Sequence, residues 1–368
     1  MSAPARPPAW FVLEDGTAFR GRAIGADGEV FGEAVFNTSL TGYQEVLTDP
    51  SYQGQIVAMT YPHIGNYGVN GEDAESRKPW VKGFVVRELS PAASNFRSEE
   101  PLEAYLKRHG VVAIDGVDTR ALTLALRRHG SMRASISTTG ADPARLLQRV
   151  RGAQHIVGVD LVASVTCEAP YEWEAPPDAT RRVVVLDYGV KRNILRQLAA
   201  LGCRVSVLPA RATAAEVLAR KPDGVVLSNG PGDPAAVTYA IETIRGLLGR
   251  TPMLGICLGH QLLGLAYGGE TFKLKFGHHG GNHPVQDVAT GKVEITTQNH
   301  NFAVRLDAIP GRAVELTHTN LNDGTVEGMR HKELPVLSLQ YHPEAAPGPH
   351  DARHLFGRFI DLVDSVRA

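Results

Sequence analysis

The chain has 368 residues, enough for two domains, and its 43% hydrophobic and 21% charged content is that of an ordinary folded protein. Its 38 Lys+Arg and 39 Asp+Glu leave a net charge of −1, so no charge excess points to nucleic acid or an anionic membrane surface as a partner. Three scattered cysteines, Cys167, Cys203 and Cys257, suit neither a disulfide framework nor a CxxC metal site, and a reducing cytoplasm fits them best.

The first eight residues lack the apolar segment of a signal peptide and read as a short disordered lead-in. Alternating residues 10–13 run into Asp15-Gly16, a favoured hairpin turn, and a second strand follows from Thr17. Further short strands are expected near 33–37, 55–60 and 83–88. Helices are expected over 99–109, stopped by Gly110, over 119–129, stopped by Gly130, and from Asp142-Pro143, a cap followed by proline at the first helical position. Strands followed by helices imply a mixed α+β N-terminal domain over 1–165. Residues 166–182 hold three prolines and no apolar period, and read as a linker.

The remainder, 183–368, changes character. Val183-Val-Val-Leu is a continuous apolar run of the kind buried on both faces of a parallel sheet. A helix follows with Ile194, Leu195, Leu198 and Leu201 at helical spacing, then a strand over 204–208, a helix over 214–219, a strand over 224–228, a helix over 236–248 and a strand over 253–256. This alternation predicts a doubly wound, mostly parallel sheet, which binds its ligands beyond the C-terminal ends of its strands. No apolar run reaches the ~18 residues that a membrane span needs.

Two motifs follow apolar strands in this half, and a third closes a strand end. Gly255-Ile-Cys257-Leu-Gly259-His-Gln261 precedes a helical pattern, which is the setting of a nucleophile elbow. A helix N-terminus favours a thiolate. Cys167, in the linker, and Cys203, at a strand start, lack that context and read as structural. Tyr341-His342-Pro343-Glu344 follows the apolar stretch 334–340; proline at 343 disfavours helix at His342, and in an extended segment His342 and Glu344 share a face, so the carboxylate can orient the imidazole. Ser228-Asn229-Gly230-Pro231-Gly232-Asp233-Pro234 ends a strand with a turn whose N–H groups can meet an oxyanion. It is neither GxGxxG nor GxxxxGK[ST], so it predicts no nucleotide site.

In this order, N-G-P-G-D-P, G-x-C-x-G-x-Q and H-P-E resemble class I (triad-type) glutamine amidotransferase domains. Leu13-Glu-Asp-Gly-Thr, Thr41-Gly-Tyr-Gln-Glu, Tyr61-Pro-His-Ile-Gly-Asn, Asp118-Thr-Arg, Leu186-Asp-Tyr-Gly-Val-Lys and Phe276-Gly-His-His-Gly-Gly-Asn-His-Pro extend the resemblance to small subunits of carbamoyl phosphate synthetase over nearly the whole chain. The resemblance implies that Cys257 attacks the glutamine side-chain amide, that His342 moves the proton and that Glu344 orients it. It implies a glutamine site of Ser51, Gly230, Gly232, Leu258, Gln261, Asn299, Asn301 and Phe302, shared between the two domains, with backbone N–H groups of Gly232 and Leu258 as the oxyanion hole. Asn301 stands where some members carry glycine.

The same resemblance implies no cofactor or metal in this chain, with ATP and its metal ions on a large partner subunit, and no nucleic acid or membrane partner. Other amidotransferases, such as the glutaminases of anthranilate or GMP synthesis, would lack this N-terminal half. A non-catalytic activating scaffold could dispense with Cys257 and His342, and a free-standing cysteine peptidase would not pair N-G-P-G-D-P with G-x-C-x-G-x-Q.

Overall fold

A computed structural model describes residues 6–367. The chain forms two compact units, one of Met1–Ile156 with Lys275–His279 and one of Val157–Leu274 with Gly280–Ala368. Residues 1–5 of the expected lead-in lie outside the described residues, whereas Arg6 ion-pairs with Glu103 and Asp115 and Pro8 already begins a strand.

The first unit contains β1 (Pro8–Leu13), β2 (Ala18–Ala23), β3 (Glu29–Asn37), α1 (Tyr43–Thr48), β4 (Gln55–Met59), β5 (His63–Ile64), β6 (Gly83–Val85), β7 (Glu88–Leu89), α2 (Leu102–Arg108), β8 (Val112–Asp115), α3 (Thr119–His129), β9 (Met132–Ser137) and α4 (Pro143–Gly152). Seven strands close into a barrel in the order β1-β2-β8-β6-β4-β3-β9. Ile56, Val85 and Ile114 join one core cluster with Leu122 and Leu126 of α3. Their neighbours Val57, Phe84 and Ala113 join another with Val46 and Leu47 of α1 and Leu102 and Leu106 of α2. The strand period of two thus loads both faces. Asp118 caps α3, accepting from Ala121 N–H at 3.0 Å, and Asp142 caps α4. α2 starts later than its pattern suggests: Pro101 is its N-cap, and Glu99 and Glu100 instead donate their N–H groups to the Val69 carbonyl.

The second unit contains β10 (Tyr171–Glu172), β11 (Arg181–Asp187), α5 (Arg192–Ala200), β12 (Cys203–Pro209), α6 (Ala214–Ala219), β13 (Gly224–Leu227), α7 (Thr238–Leu247), β14 (Met253–Ile256), α8 (Leu258–Ala266), β15 (Glu270–Asp287, except for Lys275–His279, which belong to the first unit), β16 (Val293–Arg305), β17 (Val314–Asn320), β18 (Val326–His331), β19 (Val336–Leu339) and α9 (His354–Arg367). Five strands run parallel in the order β12-β11-β13-β14-β19, and β18 and β17 continue the sheet antiparallel. Val184, Leu186, Val225 and Leu227 pack on one face and Val183, Val185 and Val226 on the other, as expected of the apolar runs. Each such side chain contributes about 1.5–3 kcal/mol on burial. The winding direction reverses between β11 and β13, the position where open α/β sheets open a crevice beyond their strand ends.

Three local expectations differ. The proline-rich stretch 166–182 lies within the second unit, where β10 adds an antiparallel edge to β12, a place that tolerates proline. The helix expected over 236–248 starts at Thr238, because Pro234–Ala236 form a 3-10 turn and Val237 breaks with φ −100° and ψ 55°. Leu201 lies outside the buried face of α5 and caps it, 38% exposed.

Candidate active site

Cys257 sits between β14 and α8 as the N-cap of the helix, with φ 53° and ψ −103°. Positive φ in a residue with a side chain costs on the order of 1–3 kcal/mol and persists only where the surroundings enforce it. Two contacts enforce it here. Cys257 N–H donates to Leu339 of β19 at 2.8 Å, and Gly259 N–H donates to Ser228 at 3.1 Å. A Cβ at Gly259 would run into the Leu227 carbonyl, so only glycine lets the helix start this close to β13. The buried thiol reaches the Asn299 carbonyl of β16 at 3.5 Å.

The segment after β19 carries the expected base, His342. His342 N–H donates to Thr297 of β16 at 2.9 Å, so the strand that carries Asn299 beside the thiol also fixes His342. His342 Nδ1 and Glu344 Oε1 are 2.7 Å apart, both side chains fully buried. The sequence placed them on one face of an extended segment. They meet instead across a turn closed by Ala345 N–H to His342 O at 3.1 Å, because Pro343 and Glu344 leave the strand. Nε2 of His342 has no hydrogen bond among the described residues, which leaves it as the ring nitrogen for the thiol. Burial alone would lower the His342 pKa; the charges of Glu344 and Cys257 outweigh it, and the imidazole titrates well above its ordinary range. Burial would likewise raise Glu344, but Lys191 and His342 hold its carboxyl well below the usual range.

Lys191 is the functional residue that sequence reasoning passed over. It is buried, its Nζ lies 2.9 Å from Glu344 Oε1, and it also donates to the Ala345 carbonyl. Asn193, in the first turn of α5, donates to the Glu344 carbonyl, so Lys191 and Asn193 together grip this turn at three points. The sequence shows it only as the lysine that closes Asp-Tyr-Gly-Val-Lys after an apolar strand, a place where a solvated cation is ordinary.

Of the expected glutamine-site residues, Gly230, Gly232, Leu258, Gln261, Asn299, Asn301 and Phe302 all belong to the second unit, at the ends of β13 and β14 and along β16. A Cβ at Gly230 would strike the Tyr188 carbonyl and Leu258, which accounts for glycine there. Gln261 is turned inward, donating to the Phe302 carbonyl at 2.8 Å and to Gln340 at 3.1 Å. It thereby ties α8 to the segment of β16 that carries Asn299, Asn301 and Phe302. Asp233 plays a structural part, accepting from Ala235 and Gly158 N–H groups at 3.0 and 2.9 Å. Ser51 belongs to the first unit, in a 3-10 turn over Pro50–Tyr52, with its N–H held by Asp49 at 2.9 Å.

Residues 184–362 match the family Glutamine amidotransferase class-I, and residues 11–136 match Carbamoyl-phosphate synthase small chain, CPSase domain. The carbamoyl phosphate synthase small chain of Syntrophotalea carbinolica is 57% identical over 371 residues, covering 98% of this chain and 98% of its own length. That of Chlorobaculum tepidum is 56% identical, covering 98% of this chain and 99% of its own, and that of a Nostoc species is 54% identical, covering 98% and 96%.

Proposed function

Because the chain belongs to the carbamoyl-phosphate synthase small-chain family and carries a class-I glutamine amidotransferase domain, we propose that it hydrolyses L-glutamine at Cys257 and delivers the ammonia to a large subunit. That partner uses ATP, its metal ions and bicarbonate to make carbamoyl phosphate for arginine and pyrimidine synthesis, and this chain itself holds no cofactor. The observation that carries the reading is the buried Cys257–His342–Glu344 array, with a strained cysteine at a helix N-terminus and an imidazole whose charged form the carboxylate favours.

In this mechanism the Cys257 thiol gives its proton to His342 as its sulfur attacks the side-chain amide carbon of glutamine. N–H groups of Gly232 and Leu258 receive the oxyanion. The C–N bond breaks, His342 gives its proton to the departing nitrogen, and ammonia leaves a γ-glutamyl thioester. A water molecule then loses a proton to His342 and attacks the thioester carbon. The C–S bond breaks, His342 returns the proton to the sulfur, and glutamate leaves. Glu344 keeps Nδ1 of His342 in place through both proton movements. Ser51, Gln261, Asn299, Asn301 and Phe302 complete the substrate site. No helix among the described residues is long and apolar enough to cross a membrane, and a cytoplasmic location accompanies this reading.

The test assembles the Cys257→Ser chain with its large partner, ATP and bicarbonate, and supplies either glutamine or ammonium. Carbamoyl phosphate should form from ammonium and not from glutamine. If both nitrogen sources fail equally in an assembled complex, this chain does more than deliver ammonia and the division of labour is wrong.

A further inference from the structure

A lysine side chain has four rotatable bonds and no preorganised geometry of its own, so a fixed backbone at the end of β11 narrows where the Lys191 ammonium is held against Glu344. Four consecutive N–H groups of that connection donate to side-chain oxygens. Tyr188 donates to Ser228 Oγ at 2.9 Å, Gly189 and Val190 to Asp187 Oδ1 at 2.9 and 2.8 Å, and Lys191 to Asn229 Oδ1 at 3.1 Å. The second Asp187 oxygen accepts from Cys167 N–H at 2.7 Å.

Asp187 is 5% exposed, and no lysine or arginine pairs with it among the described residues. Burying a carboxylate without a counter-cation is expensive, and a turn that only needed closing would manage with main-chain carbonyls or water. What this carboxylate holds is the segment that presents the Lys191 ammonium to Glu344 Oε1.

We propose that Asp187 is a positioning residue for glutamine hydrolysis: by holding the Gly189 and Val190 N–H groups it sets Lys191 against Glu344, and through Glu344 it sets His342. Asn229 assists by accepting from Lys191 N–H. The proposal rests on the glutaminase reading and adds to it two side chains, Asp187 and Asn229, that act through the backbone rather than on substrate. A misplacement of about 1 Å at a catalytic group can cost on the order of a hundredfold in rate, so a small shift of this loop is enough to register.

The experiment is a double-mutant cycle in glutamine hydrolysis, comparing the wild-type chain, Asp187→Asn, Lys191→Met and the double variant, with kcat and KM separated and each fold checked by thermal unfolding. Asp187→Asn keeps the size of the side chain but turns an NH2 group toward backbone N–H donors. It should lower kcat about tenfold, the loss of roughly one charge-assisted hydrogen bond, with KM within about twofold. The double variant should be no slower than Lys191→Met alone. If the two losses multiply, or if Asp187→Asn changes KM and leaves kcat intact, Asp187 does not act through Lys191. Should Asp187→Asn fail to fold, Asn229→Ala, which removes the acceptor for Lys191 N–H, runs through the same cycle with the same deciding outcomes. Wild-type and Cys257→Ser chains in the same assay separate a failure of the glutaminase reading from a failure of this one: the first shows as absent wild-type activity or retained Cys257→Ser activity, the second only in the cycle.

Discussion

Each unit buries a carboxylate at the centre of an ion-pair cluster, and the two are furnished differently. Asp115, in the first unit, has both oxygens filled: Arg22 donates to Oδ1 at 2.8 Å and to Oδ2 at 2.9 Å, and Arg6 donates to Oδ2 at 3.1 Å. Both arginines reach solvent, with 55% and 25% of their side chains exposed. Glu344, in the second unit, has Oε1 shared by Lys191 and His342 while Oε2 has no partner among the described residues, and all three side chains are shut away from solvent. The first arrangement is saturated and its charges can relax into water, which suits a pin in a barrel wall. The second leaves a lone pair and a ring nitrogen uncommitted in a medium where charges interact strongly. Those are the conditions under which a proton can be moved usefully.

The widest separation between the clusters should appear in catalysis. His342→Asn removes the proton carrier and should lower glutamine turnover on the order of 10⁴-fold. Glu344→Gln leaves an imidazole that still carries protons, so its loss should be smaller, on the order of 10²-fold, as for one misoriented acid–base group. Turnover numbers of the two variants decide the order, and a Glu344→Gln enzyme slower than His342→Asn would mean that the roles are misassigned.

The next difference is in titration. The His342 pKa is raised in the folded chain, so its contribution to stability is full below the ordinary histidine range and fades as pH rises through the folded-state value. The Glu344 pKa is lowered, so its contribution is full above the ordinary carboxylate range and fades as pH falls through its own folded-state value. The pair is strongest between those limits. NMR of the labelled imidazole should show His342 charged through neutral pH in the wild-type chain, and Glu344→Gln should move its midpoint down. An unchanged midpoint would mean that Glu344 does not set the charge of His342.

The smallest effect belongs to the first cluster. Asp115→Asn weakens hydrogen bonds to two solvent-reaching arginines and should cost about 1–2 kcal/mol in denaturant unfolding. The kcat for glutamine should stay within about twofold of wild type. A large loss of turnover with intact folding would erase the distinction between the two clusters.

The second unit was the more legible in the sequence because its apolar runs are continuous and each is followed by a helical pattern, so Val183-Val-Val-Leu and Gly255-Ile-Cys257-Leu-Gly259 announce both the sheet and the elbow. Closure of the first unit into a barrel was not foreseen. It depends on pairs such as Phe11 with Ile136, which join the ends of the unit and leave no local trace. At the site, Cys257, His342 and Glu344 stood out by spacing, since glycine and proline flank them for steric reasons. Lys191, Asp187 and Asn229 lay inside the quoted motifs Leu186-Asp-Tyr-Gly-Val-Lys and N-G-P-G-D-P, but no role could be read for them, because a lysine, an aspartate and an asparagine at strand ends are ordinary until the fold buries them together. The turn after His342 was misread for a related reason: a proline excludes helix without saying which way the chain then bends.

The proposed mechanism turns on covalent attachment of Cys257 to the substrate. The direct measurement is to mix the chain, with its large partner, ATP and bicarbonate, with glutamine, quench in acid during turnover and examine the peptides by mass spectrometry. A γ-glutamyl group should appear on the peptide that contains Cys257, and be absent from the Cys257→Ser chain and from the peptides of Cys167 and Cys203. A glutamyl group on either of those other cysteines, or turnover of glutamine with no adduct at Cys257 under conditions where thioester hydrolysis limits the rate, would contradict it.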